Sequence, residues 1–272
     1  MVSKMMMVAS FMKDKVRMMQ KGEKGDAARI EFLQTIKYDA QLQNMASKIV
    51  NNIESYPKTG YGELSILCDK YGSDKGSCVN VASNKIHPYS WMPHSYTDVY
   101  EALFSDIRHD VKNVFECGIG TSDETIVGNM SKTGKPGASL RVWQDFFTNA
   151  DIWGADIDEK ILFEEERIKT GWIDQTSPEA IKAFFESTNK GLAGFDIMID
   201  DGLHQAPAAI CLFENAINYL AQDGIYVIED LLLTDVNKVR EYFANKRQFV
   251  VKYAVMSTFQ LFNNNMIIIR KL

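Results

Sequence analysis

The sequence predicts an α/β fold, in which helices cover both faces of a Rossmann-like parallel sheet. Two observations predict this fold. From residue 111 onward, short apolar segments alternate with longer amphipathic ones, as they do in parallel strands connected by helices. The last two apolar segments, 248–255 and 266–269, have no helix between them, so we expect an antiparallel hairpin at one edge of the sheet. We divide the chain into an N-terminal helical extension, 1–100, and a ligand-binding α/β domain, 101–272.

The N-terminal extension begins with a region of helical periodicity. In residues 1 to about 58, apolar side chains recur at the spacing of one helix face, and Pro57 and Gly60 end the pattern. Such helices would form a lid over a ligand site, an oligomer surface or both. The pattern favours neither role over the other.

Two more helices are predicted before the sheet. One covers 64–71, with Gly72 as its stop signal, and the other covers 97–104. The segment between them, 87–96, is rich in aromatic and histidine residues. It would either line a ligand pocket or pack as an aromatic connector.

The α/β domain itself is assigned from the alternating segments. Strands are predicted at 111–117, 152–155, 172–173, 195–199, 224–228, 248–255 and 266–269. Helices are predicted at 139–147, 159–169, 178–188, 206–220 and 235–245. Since open parallel sheets bind ligands at the carboxyl ends of their strands, polar residues that follow the strands are candidate site residues.

The composition narrows the class of protein. A net charge of −6 argues against broad binding of a nucleic-acid backbone, which needs clustered Lys and Arg. No apolar run reaches the length of a membrane span. The four cysteines form no CxxC pair, so we expect reduced thiols and neither a disulfide framework nor a zinc site. These features favour a cytoplasmic enzyme.

Two glycines follow the first predicted strand. Gly118 and Gly120 allow the backbone to turn tightly and to approach a ligand closely. The third glycine of the dinucleotide fingerprint is absent, since position 123 is Asp, and no helix starts promptly after the loop. Both departures weaken the case for a nicotinamide or flavin cofactor.

Polar residues at the ends of the next two strands fit a nucleoside. Asp156 is placed to accept hydrogen bonds from both hydroxyls of a ribose, whereas Asp158 is better suited to capping the segment that begins at Glu159. Asp174 and Gln175 follow the third strand, and their side chains could read an adenine edge.

The fourth and fifth strands each end in a pair of acids. Asp200 and Asp201 follow one, and Glu229 and Asp230 follow the other. Neighbouring strands are about 4.8 Å apart, so three or four carboxylates would share a small volume and repel each other unless protons or a cation intervene. Mg²⁺ with oxygen ligands is the natural cation. The alternative is that some of these acids cap helices or pair with arginines.

Together these segments resemble the class I S-adenosylmethionine-dependent methyltransferases. Within that class the chain looks most like the macrocin O-methyltransferase group, metal-dependent enzymes that methylate sugar hydroxyls on natural products. The resemblance extends from about Lys70 to Leu231 and depends on an ordered set of motifs. These are GSDKG at 72–76, HSY at 94–96, FECGIGT at 115–121, PGASLR at 136–141, ADID at 155–158, DQ at 174–175, IDDGLH at 199–204 and IED at 228–230. The resemblance implies the class I methyltransferase fold for 101–272, S-adenosylmethionine as cofactor, and Mg²⁺ or another divalent cation.

The resemblance also implies a role for each site residue. The cofactor would be bound by Glu116, Gly118, Gly120, Thr121, Ser139, Arg141, Asp156, Ile157, Asp174, Gln175 and Asp200. The metal would be bound by Asp201, Glu229 and Asp230, with Asp201 and His204 as the catalytic pair. The acceptor would contact Lys75, His94 and Tyr96. Asp200 has three possible roles: it supports its neighbours, faces the cofactor, or replaces Asp201 as the ligand.

His204 would be the general base in such an enzyme. An imidazole titrates near neutral pH and can therefore take the proton of a sugar hydroxyl. His204 lies just before the predicted 206–220 helix, whose N-terminal dipole favours the neutral form of the ring. We therefore expect a neutral, basic imidazole.

The favoured function is methyl transfer to a hydroxyl of a sugar, a polysaccharide precursor or a glycosylated small molecule. A metal-independent enzyme or an N-methyltransferase, in which the carboxylates bind an amine, is one alternative. A non-catalytic Rossmann-like binding protein is another, although the intact set of loop and acidic residues argues against it. The apolar N-terminal helices make a homodimer or homotetramer plausible.

Overall fold

The computed structural model describes residues 62–76, 93–188, 191–257 and 262–272, together with Asn44 and Tyr56. The chain forms two compact units, Met1–Lys48 and Ile49–Leu272, and the elements described below belong to the second. Apart from Asn44 and Tyr56, the helical region predicted at 1–58 lies outside the described residues, as does most of the 87–96 segment. The role of the 1–58 region as a lid or an oligomer surface stays a prediction.

The described helices and strands follow each other in the predicted alternation. The helices are α1 (Glu63–Tyr71), α2 (Tyr96–Phe104), α3 (Ala138–Phe146), α4 (Pro178–Thr188), α5 (Ala206–Ala216) and α6 (Leu233–Phe243). The strands are β1 (Asn113–Cys117), β2 (Asp151–Asp156), β3 (Glu164–Glu165), β4 (Ile168–Trp172), β5 (Phe195–Asp200), β6 (Leu220–Glu229), β7 (Phe249–Val255) and β8 (Asn265–Lys271). None of the helices within these described ranges is long and apolar enough to cross a membrane.

All the strands form one sheet in the order β3-β4-β2-β1-β5-β6-β8-β7. The five strands from β4 to β6 are parallel, and β8 and β7 continue the sheet as an antiparallel hairpin at one edge. This confirms the predicted α/β architecture with its edge hairpin. It also confirms that the two strands that end in paired acids, β5 and β6, are neighbours.

The predicted helix at 159–169 is wrong. The chain instead makes a short 3₁₀ turn at Glu159–Ile161 and then the hairpin β3–β4, in which Arg167 adopts a φ of 60°. The β-branched and aromatic side chains of β4 favour a strand, and β4 pairs in parallel with residues 152–156 of β2. This pairing outweighs the helix propensity of the three consecutive glutamates before it. The predicted 206–220 helix is also too long, since α5 ends at Ala216 and Leu220 already begins β6.

Helices cover both faces of the sheet. On one face, buried side chains of α1, α2 and α3 share one core cluster with the strands, and Tyr100 packs edge-on against Trp143 at 5.1 Å. On the other face, Phe115 of β1 packs against Phe184 and Phe185 of α4, and the distances between ring centroids are 5.4 and 4.8 Å. The two helices α1 and α2 of the predicted extension therefore pack in the same core as the sheet.

The strand register decides which acids share a face. Glu116 lies opposite Ile199 of β5, which in turn lies opposite Val227 of β6. Because side chains alternate along a strand, Glu116, Asp201 and Glu229 point toward the face covered by α1, α2 and α3. Asp200 points to the opposite face.

Candidate active site

A cleft of about 230 Å³ opens where β1, β2, β4, β5 and β6 end. The cleft therefore lies at the carboxyl ends of the parallel strands, where open sheets of this kind bind ligands. The predicted site residues that line it are Lys75, His94, Tyr96, Gly118, Gly120, Thr121, Asp156, Ile157, Asp174, Gln175, Asp201, His204 and Asp230.

The turn at Gly118 forms the floor of the cleft. Gly118 has a φ of 86°, and its amide donates to the carbonyl of Ala155 at 2.8 Å. A Cβ at this position would lie 2.1 Å from the carbonyl oxygen of Asp201. Only glycine combines this φ with so close an approach between the β1 turn and the β5 turn.

Asp156 is held at the end of β2 by backbone amides. Its carboxylate accepts from the amide of Ile119 at 2.9 Å and from that of Asp158 at 3.0 Å. Burial raises the pKa of Asp156, and these hydrogen bonds oppose the shift. Next to it Thr121 donates to Asp158 at 2.6 Å, which joins the glycine turn to the β2 end.

Asp200 supports the β5 turn from behind. Its Oδ1 accepts from the side chain of Gln175 at 2.6 Å and from the amide of Gly202 at 3.3 Å. Gln175 in turn accepts from the amide of Leu203 at 2.7 Å. Burial raises the pKa of Asp200 to about 7. Of the three roles predicted for Asp200, these contacts match the one in which it supports its neighbours. Asp201 lines the cleft, and Asp200 does not.

Asp201, His204 and Asp230, called the outer group below, come together at the mouth of the cleft. Nε2 of His204 lies 3.3 Å from Oδ1 of Asp201, and Nδ1 lies 3.6 Å from Oδ2 of Asp230. One ligand atom from each residue lies within 4.8 Å of the others, an arrangement that could hold a metal ion. His204 and Asp230 have φ values of 57° and 63°, uncommon for residues other than glycine. Such backbone strain is concentrated at functional sites, because the surrounding structure must maintain it.

His94 and Tyr96 contact the outer group through Asp230. Nε2 of His94 lies 3.2 Å from Oδ1 of Asp230, and Nδ1 lies 3.7 Å from Asp74. The ring of Tyr96 stacks on that of His94, with 4.6 Å between their centroids. The hydroxyl of Tyr96 donates to Oδ1 of Asp230 at 3.4 Å. Although burial disfavours the charged imidazole, Asp230 and Asp74 raise the pKa of His94 to about 10.

A second set of charges, called the inner group below, lies beneath Asp201 and consists of Lys75, Glu116 and Glu229. The ammonium of Lys75 contacts Glu229 and lies 3.2 Å from Glu116. It also donates to Oδ2 of Asp201 at 2.6 Å, so Asp201 belongs to both groups. The three members of the inner group are 3% exposed or less.

Two aromatic side chains complete the inner group. Tyr100 of α2 donates to Glu229, and the indole of Trp143 in α3 donates to Glu116 at 2.6 Å. Sequence reasoning missed both residues, because in the sequence they are ordinary apolar positions of amphipathic helices. It also missed the cleft-lining loop residues Ile126, Val127, Gly128 and Met130, for which a long glycine-containing connection was the one signal.

Glu229, one of the predicted metal ligands, contacts Lys75 in this structure, and its contact with a cation stays a prediction. Among the described residues the acidic group at the cleft mouth contains His204 in place of Glu229. Burial and the neighbouring carboxylates raise the pKa of Glu229 to about 8. Burial disfavours the charged Lys75, but Asp201, Glu229 and Glu116 outweigh it and raise the pKa of Lys75 well above its ordinary value.

The expectation of a neutral His204 is corrected by its surroundings. Burial disfavours the imidazolium, but Asp230 and Asp201 outweigh it and raise the pKa of His204 to about 9. The two carboxylates lie within 3.6 Å of the ring, whereas a helix dipole contributes at most a partial charge. In the protein without a bound cation, the imidazolium is therefore favoured at neutral pH.

Besides Glu116 and Asp200, described above, Arg141 and Ser139 are predicted cofactor residues that do not line the cleft. Arg141 stacks on Phe163 at 4.6 Å and pairs with Glu165 of β3. Ser139 is buried and hydrogen-bonds to Glu116. In this structure both residues hold neighbouring elements together, and their contact with a cofactor stays a prediction.

Known proteins similar to this chain are sugar O-methyltransferases. No protein-family model matches the chain. It is 32% identical over 168 residues to the 8-demethyl-8-alpha-L-rhamnosyl tetracenomycin-C 2'-O-methyltransferase of Streptomyces olivaceus, covering 62% of this chain and 37% of that protein. It is 34% identical over 138 residues to the demethylmacrocin O-methyltransferase of Streptomyces fradiae, covering 51% of this chain and 32% of that protein. The resemblance to the macrocin O-methyltransferase group is confirmed, although the matched segments span only about a third of these relatives.

A similar fold occurs in a solved structure. The MycE methyltransferase from the mycinamycin biosynthetic pathway, in complex with Mg, SAH and mycinamycin VI, matches with a TM-score of 0.56 at 23% identity. The match covers 77% of this chain and 54% of that chain. It confirms the class I methyltransferase fold.

Proposed function

We propose that this protein transfers a methyl group from S-adenosylmethionine to a hydroxyl of a sugar, a polysaccharide precursor or a glycosylated small molecule, with the help of Mg²⁺ or another divalent cation. The outer group carries the proposal. It places ligand atoms of two carboxylates and an imidazole within 4.8 Å of one another. The same cleft is lined by the turn at Gly118 and by Asp156, the acid proposed to bind the ribose. The similarity to known sugar O-methyltransferases supports the same activity.

The cleft fits the proposed cofactor. Gly118 and Gly120 of the β1 turn line the cleft, and Asp156 lies at the end of the adjacent strand. A carboxylate there can accept from both ribose hydroxyls, and Asp174 and Gln175, which also line the cleft, would face the adenine. S-adenosylmethionine would supply an activated methyl group on its sulfonium.

The outer group fits the proposed cation. Mg²⁺ is bound in proteins through one or two carboxylates together with waters and substrate oxygens, and Asp201 and Asp230 provide these two carboxylates. Bound Mg²⁺ would fix an acceptor hydroxyl and stabilise its developing negative charge. We propose that Glu229, which contacts the same Lys75 ammonium as Asp201, is the third ligand of the cation.

His204 is the proposed base. The carboxylates that raise its pKa are those that would bind the cation, so neutralising their charge returns the imidazole toward its ordinary pKa. His204 can then accept the hydroxyl proton while the methyl group moves from the sulfonium sulfur to the oxygen, which would leave S-adenosylhomocysteine. The chain otherwise supplies positioning, and no covalent intermediate with the protein is needed.

The acceptor is proposed to contact His94 and Tyr96. Both line the cleft next to Asp230, and a stacked aromatic pair with polar edges suits a sugar ring. We also propose that the protein is a cytoplasmic homodimer or homotetramer that assembles through the apolar faces predicted in residues 1 to about 58. Light scattering of the full chain and of a variant with charged residues on those faces tests the assembly.

Calorimetry of the full chain tests the cofactor and the cation separately. Titration with S-adenosylhomocysteine should show binding, and titration with Mg²⁺ should show a site that is lost in Asp230→Asn. Asp223→Asn, which changes an exposed acid of β6, the strand that precedes Asp230, should keep that site. If S-adenosylhomocysteine does not bind in the presence or absence of Mg²⁺, the protein is not a methyltransferase of this kind.

A methyl-transfer screen over nucleotide sugars and glycosylated small molecules then tests the acceptor class. We expect transfer to a hydroxyl that EDTA abolishes and added Mg²⁺ restores. Transfer that persists in EDTA favours the metal-independent alternative, and a methylated amine as product favours the N-methyltransferase. Cofactor binding with no transfer to any sugar would contradict the proposed acceptor.

A further inference from the structure

Three consecutive asparagines occupy positions 263–265, and the last of them begins β8. β8 runs antiparallel to β6, and its second residue pairs with Glu229, the last residue of β6. The entry to β8 therefore lies beside Asp230, which follows β6. Residues that precede an antiparallel strand thus reach a cleft that is built mainly from residues that follow parallel ones.

Asn263 holds one oxygen atom of Asp230. Its side-chain amide donates to Oδ1 of Asp230. The hydroxyl of Tyr96 donates to the same oxygen at 3.4 Å, and Nε2 of His94 lies 3.2 Å from it. Oδ2 of Asp230 instead lies 3.6 Å from Nδ1 of His204. The two oxygen atoms therefore have different surroundings, and Oδ2 is the one directed toward the proposed base.

Asn265 holds the backbone on both sides of that carboxylate. Its carbonyl accepts from the amide of Asp230 at 3.2 Å, and its side-chain amide donates to the carbonyl of Leu231 at 2.8 Å. Asn265 is buried, so these hydrogen bonds are shielded from water. Asp230 has a φ of 63°, and a conformation of this kind persists only where the surrounding structure fixes it.

Asn264 holds the segment that carries His94 and Tyr96. Its Oδ1 accepts from the amide of Ser95 at 3.1 Å, and its Nδ2 donates to the hydroxyl of Ser95 at 2.8 Å. Nδ2 also donates to the carbonyl of Met256, the residue that follows β7, at 3.2 Å. A side-chain amide suits this place because it supplies a donor and an acceptor at once.

We propose that residues 263–265 form a positioning clamp for Asp230. The clamp holds Oδ1 of Asp230 and the flanking backbone, so that Oδ2 points toward the proposed cation, and it keeps His94 and Tyr96 beside the same carboxylate. Partners of this kind orient metal ligands without touching the metal. The role of Oδ2 rests on the proposed function, whereas the conformations of Asp230 and of the 94–96 segment do not.

The Mn²⁺ affinity of the full chain tests the clamp without cofactor or acceptor. Wild type, Asn263→Ala and Asn149→Ala are freed of metal with EDTA and titrated with Mn²⁺, and free Mn²⁺ is followed by electron paramagnetic resonance. Asn149 is the matched control, because its exposed side chain also donates one hydrogen bond, to the carbonyl of His109 at 2.8 Å, and it precedes β2 at the opposite end of the sheet. We expect Asn263→Ala to weaken Mn²⁺ binding by about ten- to a hundredfold and Asn149→Ala to bind as the wild type does.

The visible spectrum of bound Co²⁺ separates positioning from a general loss of stability. If the Asp230 carboxylate turns when Oδ1 loses a donor, its contact with the metal changes. The position or intensity of the Co²⁺ bands should therefore differ from the wild type in Asn263→Ala and not in Asn149→Ala. A lower Tm in EDTA, together with the wild-type Mn²⁺ affinity and Co²⁺ spectrum, would show that Asn263 only stabilises the fold and would overturn the cation part of the proposal.

Tyr96→Phe keeps the proposal testable if Asn263→Ala does not fold. This change removes another donor to Oδ1 of Asp230 and keeps a ring in the same buried place. We expect Mn²⁺ binding to weaken by about two- to tenfold, as the loss of one hydrogen bond predicts. In that case an unchanged Mn²⁺ affinity in Tyr96→Phe would refute the hold on Oδ1.

Hydrogen exchange in EDTA tests the clamp apart from the cation. Asn264→Ala removes the acceptor of the Ser95 amide, so peptides covering 93–98 should exchange about tenfold faster than in the wild type or more. Asn263→Ala should have the same effect on peptides covering 228–232, and the control variant should have neither. Unchanged exchange in both segments would overturn the clamp.

The outcomes for this proposal and for the proposed function are distinct. A wild type that binds no Mn²⁺ contradicts the cation of the proposed function, and the exchange measurements then decide the clamp by themselves. A wild type that binds Mn²⁺, with an Asn263→Ala variant of equal affinity, contradicts the cation part of the clamp alone.

Discussion

Replacing Gly118 by alanine separates the cost of an unusual φ from the cost of a close contact, because the chain offers a matched control. Gly118 and Gly191 have φ values of 86° and 88°. A Cβ at 118 would lie 2.1 Å from the carbonyl oxygen of Asp201, whereas a Cβ at 191 would meet no atom within 4 Å. The two alanine variants therefore carry the same backbone strain and differ in the steric contact.

The magnitudes follow from these two terms. A left-handed φ costs an alanine about 1–2 kcal/mol, so Gly191→Ala should lower the free energy of unfolding by about that amount. The clash at position 118 adds about 1–3 kcal/mol, as overpacking does elsewhere in protein interiors, so Gly118→Ala should lose about 2–5 kcal/mol. In a domain of this size each kcal/mol lowers Tm by about 2–4 °C.

Denaturant unfolding and calorimetry measure the two effects. Gly118→Ala should lose more free energy of unfolding than Gly191→Ala. It should also weaken binding of S-adenosylhomocysteine and Mn²⁺, because the β1 turn must move away from Asp201. Gly191→Ala should bind both ligands as the wild type does. Equal losses of stability in the two variants, with ligand binding intact in both, would refute the assignment of the Gly118–Asp201 contact as a constraint on the cleft.

Three further predictions concern the proposed chemistry. His204→Gln should lower kcat for methyl transfer by about 10²- to 10⁴-fold through loss of the base, while calorimetry still shows S-adenosylhomocysteine binding; an unchanged kcat would exclude a base role. Asp156→Asn should weaken S-adenosylhomocysteine binding by about ten- to a hundredfold through loss of charged hydrogen bonds. Asp151→Asn, at the exposed start of the same strand, should bind it as the wild type does. Equal affinities of the two variants for S-adenosylhomocysteine would count against the ribose assignment. EDTA should abolish methyl transfer and leave the S-adenosylhomocysteine affinity within about tenfold, and activity that survives chelation would exclude an essential cation.

The order of the elements and the location of the cleft follow from local patterns. Alternation of apolar strands and amphipathic helices was sufficient to predict the parallel sheet, because each segment carries its own periodicity and its own start and stop signals. The location of the cleft followed from the same pattern, since Asp156, Asp201 and Asp230 come directly after strands that had to be parallel.

Local patterns failed where a distant partner decided the conformation. The 159–169 segment contains good helix formers, yet its second half became β3 and the start of β4, because the open edge of β2 could accept a strand there. Pairing satisfies backbone hydrogen bonds and buries side chains against the sheet, and neither gain is visible in the segment itself. The expectation for the pKa of His204 failed for a similar reason, since Asp230, which raises that pKa, lies 26 positions along the sequence.

The sequence by itself determined that acids and a histidine follow two adjacent strands, and that a metal or a proton had to accompany them. Only the tertiary structure decided how these acids are divided. The pleat of the strands points Asp200 to one face and Asp201 to the other, and the positive φ of Asp230 turns it into the cleft while Glu229 stays buried. Lys75, 126 residues from Asp201, reaches the same acids through the packing of α1. The physical reason is that a strand pattern fixes where a charge emerges from the chain, whereas long-range packing fixes which charges are buried together and what neutralises them.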